Sequence, residues 1–221
     1  MSVPERAMAK AAKSNSTKPT AVALIEAAER IFADQGVENA SLRQIATAAG
    51  SANSFAVQYH FGSREALVDA IFEHRLVEFE GRRAEMLRAI EPFQRGDVRR
   101  LLEVMCRPLF DQRDAQGRHS YANFLSSLYR TSMGLERRLN VSHKAPVMGL
   151  VGDRLRESLP ELDNREFAQR SLLGFRMMLD AILCVDVGTG HFEDEAEALD
   201  EVLTLLEALF RARARRTLSV T

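Results

Sequence analysis

The segment from Ser41 to Leu67 constrains the fold more than any other part of the chain. In its first half, apolar residues recur at helical spacing, at Leu42, Ile45, Ala46 and Ala49. Ser41 is placed to cap this helix through a capping box with Gln44. Gly50 ends it, because glycine adopts the left-handed C-terminal conformation at little cost. A second helix is predicted over Asn53–Tyr59, and the pair has the outline of a helix-turn-helix, whose second helix enters the DNA major groove.

Four short motifs in a fixed order carry a resemblance to a known family. They are FADQG at residues 32–36, ASLRQIA at 40–46, AAG at 48–50 and YHFGSREAL at 59–67. Together they resemble the N-terminal domain of the TetR family of transcriptional regulators, over roughly residues 20–71. Between Gly50 and His60 the chain carries one residue more than the common family pattern. The resemblance implies an all-α protein of about nine helices, with a three-helix helix-turn-helix head and a larger helical body for ligand binding and dimerisation.

Polar side chains in the second helix are the candidates for reading bases. Asn53, Ser54 and Gln58 have short or amide side chains that can bond base edges or phosphates. Phe55 has two interpretations, contact with a thymine methyl group or burial in the core.

Two cations and an aromatic pair complete the candidate DNA contacts. The resemblance assigns Tyr59 and Arg64 to backbone phosphates, and gives His60 mainly the task of closing the turn. Arg43 and Arg64 both lie in the first turn of a helix, where the dipole disfavours a cation unless a phosphate is bound there. Ordinary solvated surface charge is the alternative for both. The full predicted set is Ser41, Arg43, Asn53, Ser54, Phe55, Gln58, Tyr59, His60 and Arg64.

Composition limits the other functions. The net charge is −1, so a DNA-binding surface has to be local. Cys106 and Cys184 lack metal-ligand spacing and are expected to be two buried thiols in a reducing compartment. No signal peptide or membrane span is recognisable. We therefore expect a cytoplasmic protein with no metal or cofactor.

The chain divides into four predicted parts. Residues 1–19 form a disordered basic arm, interpreted either as a solvated tail or as a segment that follows DNA phosphates. Residues 20–66 form the helix-turn-helix domain, residues 67–216 the ligand-binding and dimerisation domain, and residues 217–221 a tail. Helical patterns cover about residues 20–35, 63–86, 164–187 and 193–214, and the less regular region 131–160 is expected to contain one helix at residues 145–159.

The last two helices are the expected dimer contact. A face of small and flexible residues on the first of them, Ser171, Gly174, Met178 and Ala181, allows close approach of another helix. The family resemblance implies that both helices pair with their copies in a four-helix bundle, as a two-fold DNA site requires. The alternative is that they only cover their own core.

The family also implies an effector pocket in the body. The candidates are adaptable apolar side chains and two polar ones: Met105, Phe110, Tyr121, Phe124, Leu128, His143, Phe175, Arg176, Met178 and Leu179. By spacing alone most of these are core residues. Arg176 has a second interpretation, an ion pair with Asp180 one turn later.

The sequence therefore favours a ligand-responsive repressor that binds double-stranded operator DNA as a homodimer and responds to a small apolar effector. No catalytic motif is recognisable, so an enzyme is not expected. The alternatives are a ligand-independent regulator, an activator, or a helical enzyme or binding protein whose helix-turn-helix is purely structural.

Overall fold

The computed structural model describes residues 21–92, 97–131, 134 and 144–213. These residues form helices and connections without a β-strand, which confirms the predicted all-α class. In chain order the helices are α1 (Ala21–Gln35), α2 (Leu42–Ala48), α3 (Ala56–Phe61), α4 (Arg64–Ala89), α5 (Val98–Asp111), α6 (Ser120–Leu128), α7 (Pro146–Glu157), α8 (Asn164–Val187) and α9 (Glu195–Arg211). The predicted arm at residues 1–19, the tail at 217–221 and His143 lie outside the described residues.

Helices α1, α2 and α3 and the start of α4 form the head. Its core consists of fully buried side chains from each element, including Leu24, Phe32, Ile45, Val57 and Leu67. Helix α1 packs on α2 and α4 and also on α6 of the body. The head therefore rests directly on the body through α1.

The second helix of the helix-turn-helix begins later than predicted, at Ala56 rather than Asn53. Asn53 Oδ1 accepts a hydrogen bond from Phe55 N at 2.9 Å, and Asn53 N donates to Ser51 Oγ at 3.1 Å. Asparagine side chains that bond nearby backbone in this way stabilise turns in competition with helix. Residues Asn53 and Ser54 consequently belong to the turn, and α3 is shorter than the sequence pattern indicated.

The capping box predicted at Ser41 is wrong. Ser41 occupies the N-cap position of α2 with extended backbone, but its side chain makes no capping hydrogen bond. The corresponding cap of α4 does form, because Ser63 Oγ accepts from Ala66 N at 3.1 Å. Helix α4 then continues for 26 residues from head to body, contacting α1 and α3 at one end and α5 and α7 at the other.

The small-residue face of α8 packs within the same chain. Gly174, Met178 and Ala181 are buried, and a Cβ atom on Gly174 would lie 2.4 Å from Leu206 Cδ2 of α9. The small side chains of this face allow another helix to approach closely, and that helix is α9 of the same protomer. Gly174 of this face is therefore in contact with the protein's own α9.

The two cysteines differ in burial. Cys106 is buried, and burial raises the pKa of its thiol to about 12. Cys184 is half-buried, so the prediction of two buried thiols holds only for Cys106. Within the described ranges, no helix is both long and apolar enough to cross a membrane.

Candidate functional site

The outer face of α3 presents polar and aromatic side chains. Ala56 and Val57 are buried against the head, whereas Gln58, Tyr59 and His60 are exposed. Tyr59 is 82% exposed, and its ring meets the His60 ring edge-on at 5.2 Å between centroids. The three predicted contact residues of this helix are thus all accessible from outside the protein.

The turn before α3 extends this surface. Asn53 and Ser54 are exposed, although Asn53 commits its amide oxygen to the turn. Phe55 is 63% exposed, which excludes the core interpretation. The guanidinium carbon of Arg43 lies 6.0 Å from the centre of the Phe55 ring, so a cation from α2 and an aromatic ring from the turn are adjacent. Ser41, at the start of α2, is exposed as well.

Arg64 has an intramolecular role that the sequence did not indicate. It is half-buried, and its Nη1 donates hydrogen bonds to the backbone oxygens of Val37 and Ala40, the latter at 2.7 Å. These bonds tie the first turn of α4 to the loop between α1 and α2. The guanidinium therefore fixes the position of the helix-turn-helix on α4, besides any contact with phosphate.

A buried ion pair lies beneath the head. Glu29 of α1 is 1% exposed and accepts hydrogen bonds from Arg75 Nε at 2.7 Å, from Arg75 Nη2 at 2.8 Å and from the Ser120 hydroxyl. Burial acts to lower the pKa of Arg75, but the hydrogen bond and charge of Glu29 outweigh it and raise the pKa. The sequence signal was an acid at helical spacing within the apolar stripe of Ile25, Ala28 and Phe32.

A second polar cluster joins three helices of the body around His119. Its Nδ1 lies 2.6 Å from Asp186 Oδ1, and its Nε2 lies 2.9 Å from the backbone oxygen of Phe110. Asn123 Nδ2 donates to the other Asp186 oxygen at 2.6 Å. Because a carboxylate and a carbonyl oxygen only accept, both ring nitrogens must donate, which requires the imidazolium form.

The pKa values of this cluster agree with that assignment. Burial acts to lower the pKa of His119, but the hydrogen bond and charge of Asp186 raise it overall. For Asp186, burial acts to raise the pKa, and the contacts with His119 lower it below its ordinary value. No sequence signal marks this pair, since each residue is isolated in the chain.

The described effector candidates differ in burial. Six are buried: Phe110, Tyr121, Phe124, Leu128, Met178 and Leu179. Met105 and Phe175 are half-buried. Arg176 is exposed and donates to the backbone oxygen of Tyr129 at 2.6 Å, so it caps α6 rather than pairing with Asp180.

Two of the buried candidates belong to an aromatic cluster between α4 and α6. The rings of Phe72, Phe79, Tyr121 and Phe124 lie 5.3–6.3 Å from their neighbours, mostly edge to face. Tyr121 and Phe124 therefore pack against Phe72 and Phe79 of α4, which were not among the sequence-predicted effector residues.

The chain is similar to known proteins in one domain and in overall fold. Residues 24–71 match the family described as bacterial regulatory proteins, tetR family. The fold is similar to that of a Mesorhizobium loti MAFF303099 protein assigned to the tetR family of transcriptional regulators, with 16% identity and a TM-score of 0.51 over 89% of this chain and 97% of that one. It is also similar to the TetR family transcriptional regulator PfmR from Thermus thermophilus, with 20% identity and a TM-score of 0.50 over 87% of this chain and 99% of that one. A search of curated proteins gives no significant match.

Proposed function

We propose that this chain, whose residues 24–71 match the tetR family of bacterial regulatory proteins, is a repressor that binds operator DNA as a homodimer in the cytoplasm. One observation carries the proposal. Helix α3 buries Ala56 and Val57 and exposes Gln58, Tyr59 and His60 on a surface that no other described element covers. A short helix fixed by its apolar side, with hydrogen-bonding groups outside, suits insertion into a major groove.

We assign the exposed residues either to recognition of bases or to contacts with the DNA backbone. Gln58 is the side chain on α3 that can bond an adenine edge with two hydrogen bonds, so we assign it to base recognition. Tyr59 and Arg43 are assigned to phosphates, and Phe55 to a thymine methyl group or a sugar. Ser41, Ser54, Asn53 and His60 lie at the edge of this surface, where contacts position the head.

Dimerisation is proposed through the outer faces of α8 and α9. Leu173 and Val187 of α8 are 58% and 67% exposed, and Leu183 and Leu205 are also exposed. Residues 173 and 187 are about four helical turns apart, so they lie on one side of α8. Burial of this side against its own copy would remove apolar surface from water and give a two-fold axis. That axis would place the two α3 helices in successive major grooves, about 34–36 Å apart.

Ligand response is proposed for the body. The aromatic cluster of Phe72, Phe79, Tyr121 and Phe124 contacts α4, which continues into the head. A small apolar effector bound among these helices would favour one arrangement of α4 over another and so shift the two heads away from the operator spacing.

Binding to the DNA upstream of the protein's own gene tests the proposal. Fluorescence anisotropy with a set of single-base variants of that DNA should show saturable, sequence-dependent binding. Gln58→Ala should change the preference among variants by about 1–3 kcal/mol at one base pair in each half-site. Gln116→Ala, in an exposed turn of the body, removes the same amide and should change nothing. Equal losses on every variant would contradict base recognition by Gln58, and catalytic turnover without operator binding would favour the enzyme alternative.

A further inference from the structure

Arg83 of α4 is buried in the body and has few hydrogen-bond partners among the described residues. The residue is 6% exposed. Its Nη1 meets one oxygen of Glu80 at 3.3 Å, and its buried Nε has no hydrogen-bond partner among the described residues. The guanidinium also lies 5.6 Å from the centre of the Phe79 ring. Burial lowers the pKa of Arg83, and the opposing effect of Glu80 does not make up for it.

Glu80 is itself occupied by another element. Its carboxylate accepts hydrogen bonds from the backbone amides of Val147 at 2.6 Å and Met148 at 3.3 Å, at the start of α7. The carboxylate therefore serves the N-terminus of α7 as well as Arg83. Glu80 therefore divides its negative charge between Arg83 and the start of α7. The positive charge of Arg83 is only partly neutralised, and its Nε–H remains able to donate a hydrogen bond.

Arg75, about two turns earlier on the same helix, provides an internal comparison. Its side chain is similarly buried, at 11% exposure against 7% for Arg83. Arg75 makes two short hydrogen bonds to Glu29, and its pKa is raised rather than lowered. Among the described residues, Arg75 thus has a carboxylate partner at each of its three nitrogens, whereas Arg83 lacks one at Nε.

Arg83 lies next to the aromatic cluster, with its guanidinium carbon 5.6 Å from the centre of the Phe79 ring. Tyr121 and Cys106, both buried, are close enough to Arg83 to interact with its charge. The Tyr121 ring lies 5.3 Å from that of Phe79, on which Arg83 stacks. A cation at the end of an apolar, aromatic region has the arrangement that recognises a molecule with an acidic group and a hydrophobic remainder.

We infer that Arg83 binds the carboxylate of an otherwise apolar effector, an inference that rests on the ligand response proposed above. A carboxylate matches the planar donor fork of arginine. It would supply the charge and the acceptor that Nε lacks, and the aromatic cluster would hold the apolar part. The bound carboxylate would compete with Glu80 for Arg83, and so change how firmly Glu80 holds the start of α7.

Isothermal titration of the full-length protein with matched acids and amides tests this inference. The probes are octanoic acid with octanamide, and 4-phenylbutyric acid with 4-phenylbutanamide. An acid should bind at least about tenfold more tightly than its amide, because a hydrogen bond to a charged group is worth more than one to a neutral group. Arg83→Met should abolish this preference. Arg82→Met removes a neighbouring exposed cation and should retain it.

Arg83→Met is expected to fold, because Glu80 keeps its hydrogen bonds from the backbone amides of Val147 and Met148 when the guanidinium is removed. If Arg83→Met does not fold, Arg83→Gln is the second variant. It keeps hydrogen-bond donors but removes the charge, and it should also abolish the preference for the acid over its amide. Equal binding of acid and amide, a preference that survives either Arg83 variant, or no saturable binding of any acid up to about 1 mM would overturn the inference. Operator binding that persists in any of these cases would leave the proposed DNA-binding function standing.

Discussion

Arg75 of α4 binds both carboxylate oxygens of Glu29 of α1, at 2.7 and 2.8 Å, in the interior of the protein. Glu29 interrupts an apolar stripe, and the Ser120 hydroxyl of α6 supplies a third hydrogen bond to it. One carboxylate therefore connects the first helix of the head, the helix that continues into the body, and a helix of the body. Separation of α1 from α6 would break the Ser120 hydrogen bond and expose this ion pair to water.

Removing the charge of Glu29 should be strongly destabilising. Glu29→Gln leaves Arg75 with only the exposed Glu78 as a counter-charge, and we expect the free energy of unfolding to fall by about 3–5 kcal/mol in urea denaturation. Asp34→Asn removes an exposed carboxylate that pairs with Arg118 and should lower it by less than about 1 kcal/mol. The double variant Glu29→Leu, Arg75→Met should recover much of the loss. Similar small effects of Glu29→Gln and Asp34→Asn would show that the buried pair has no special role.

The contribution of His119 to stability should fall as the pH rises above about 6.5. The pKa of His119 is raised above 6.5 in the folded protein, so its contribution is fully present below about pH 6.5 and is lost as the pH rises through the folded pKa. Glu195 supports the charged ring, and Arg113 opposes it. The pKa of Asp186 is lowered from 3.8, so its contribution is present above that pH and is lost only in stronger acid.

Urea denaturation of the parent protein and of His119→Gln at a series of pH values measures this effect. The difference in free energy of unfolding between the two proteins should be largest near about pH 6 and should shrink towards about pH 9. Other titrating groups act on both proteins and cancel in the difference. A difference that stays constant across this range would mean that His119 is neutral in the folded state.

Arg64→Ala should affect both DNA binding and the head itself. Binding to every sequence should weaken and the salt dependence should flatten, if the guanidinium also reaches a phosphate. The loss of its bonds to the backbone oxygens of Val37 and Ala40 should lower stability by about 1–3 kcal/mol. Arg43→Ala, at an exposed position, should flatten the salt slope without that loss of stability. Anisotropy over a sodium chloride series and thermal unfolding separate these effects, and an altered base preference with an unchanged slope would count against the phosphate contact.

A charged side chain on the proposed dimer face of α8 should weaken dimerisation. Leu173→Asp or Val187→Asp places a carboxylate in the centre of the proposed contact between α8 and its copy, and should raise the dimer dissociation constant by about a hundredfold or more. Val77→Asp, at a position on α4 that is 79% exposed, is the matched control. Sedimentation velocity at several concentrations provides the readout. Identical behaviour of the three variants would place the interface elsewhere.

Local signals predicted much of the fold. The bounds of α8 agree with the sequence pattern, because its capping box at Asp163 and Glu166 and its terminal Gly188 are short-range features. The start of α3 was missed because the Asn53 side chain bonds nearby backbone, a competition that helical spacing does not reveal. The sequence also indicated the small face of α8 but could not tell which helix would occupy it.

The polar clusters could not be predicted because they depend on tertiary structure. Glu29 and Arg75 are 46 residues apart, and His119 and Asp186 are 67 residues apart. Arg83 resembles any arginine of an exposed helix in the sequence, and only tertiary packing makes it a buried cation. Of the candidate site, the exposed surface of α3 was thus accessible to sequence reasoning, whereas the groups that couple it to the body were not.

The continuity of α4 has a mechanical consequence. Arg64 in the head and Arg83 in the body stand on one helix of 26 residues, with about 28 Å of helical rise between them. A tilt of about 10° over that length displaces the far end by about 5 Å, which is comparable with the roughly 3–7 Å that one or two base pairs occupy along a DNA axis. In the proposed function, a small tilt of α4 at the Arg83 end would therefore move the head by about the spacing of one or two base pairs.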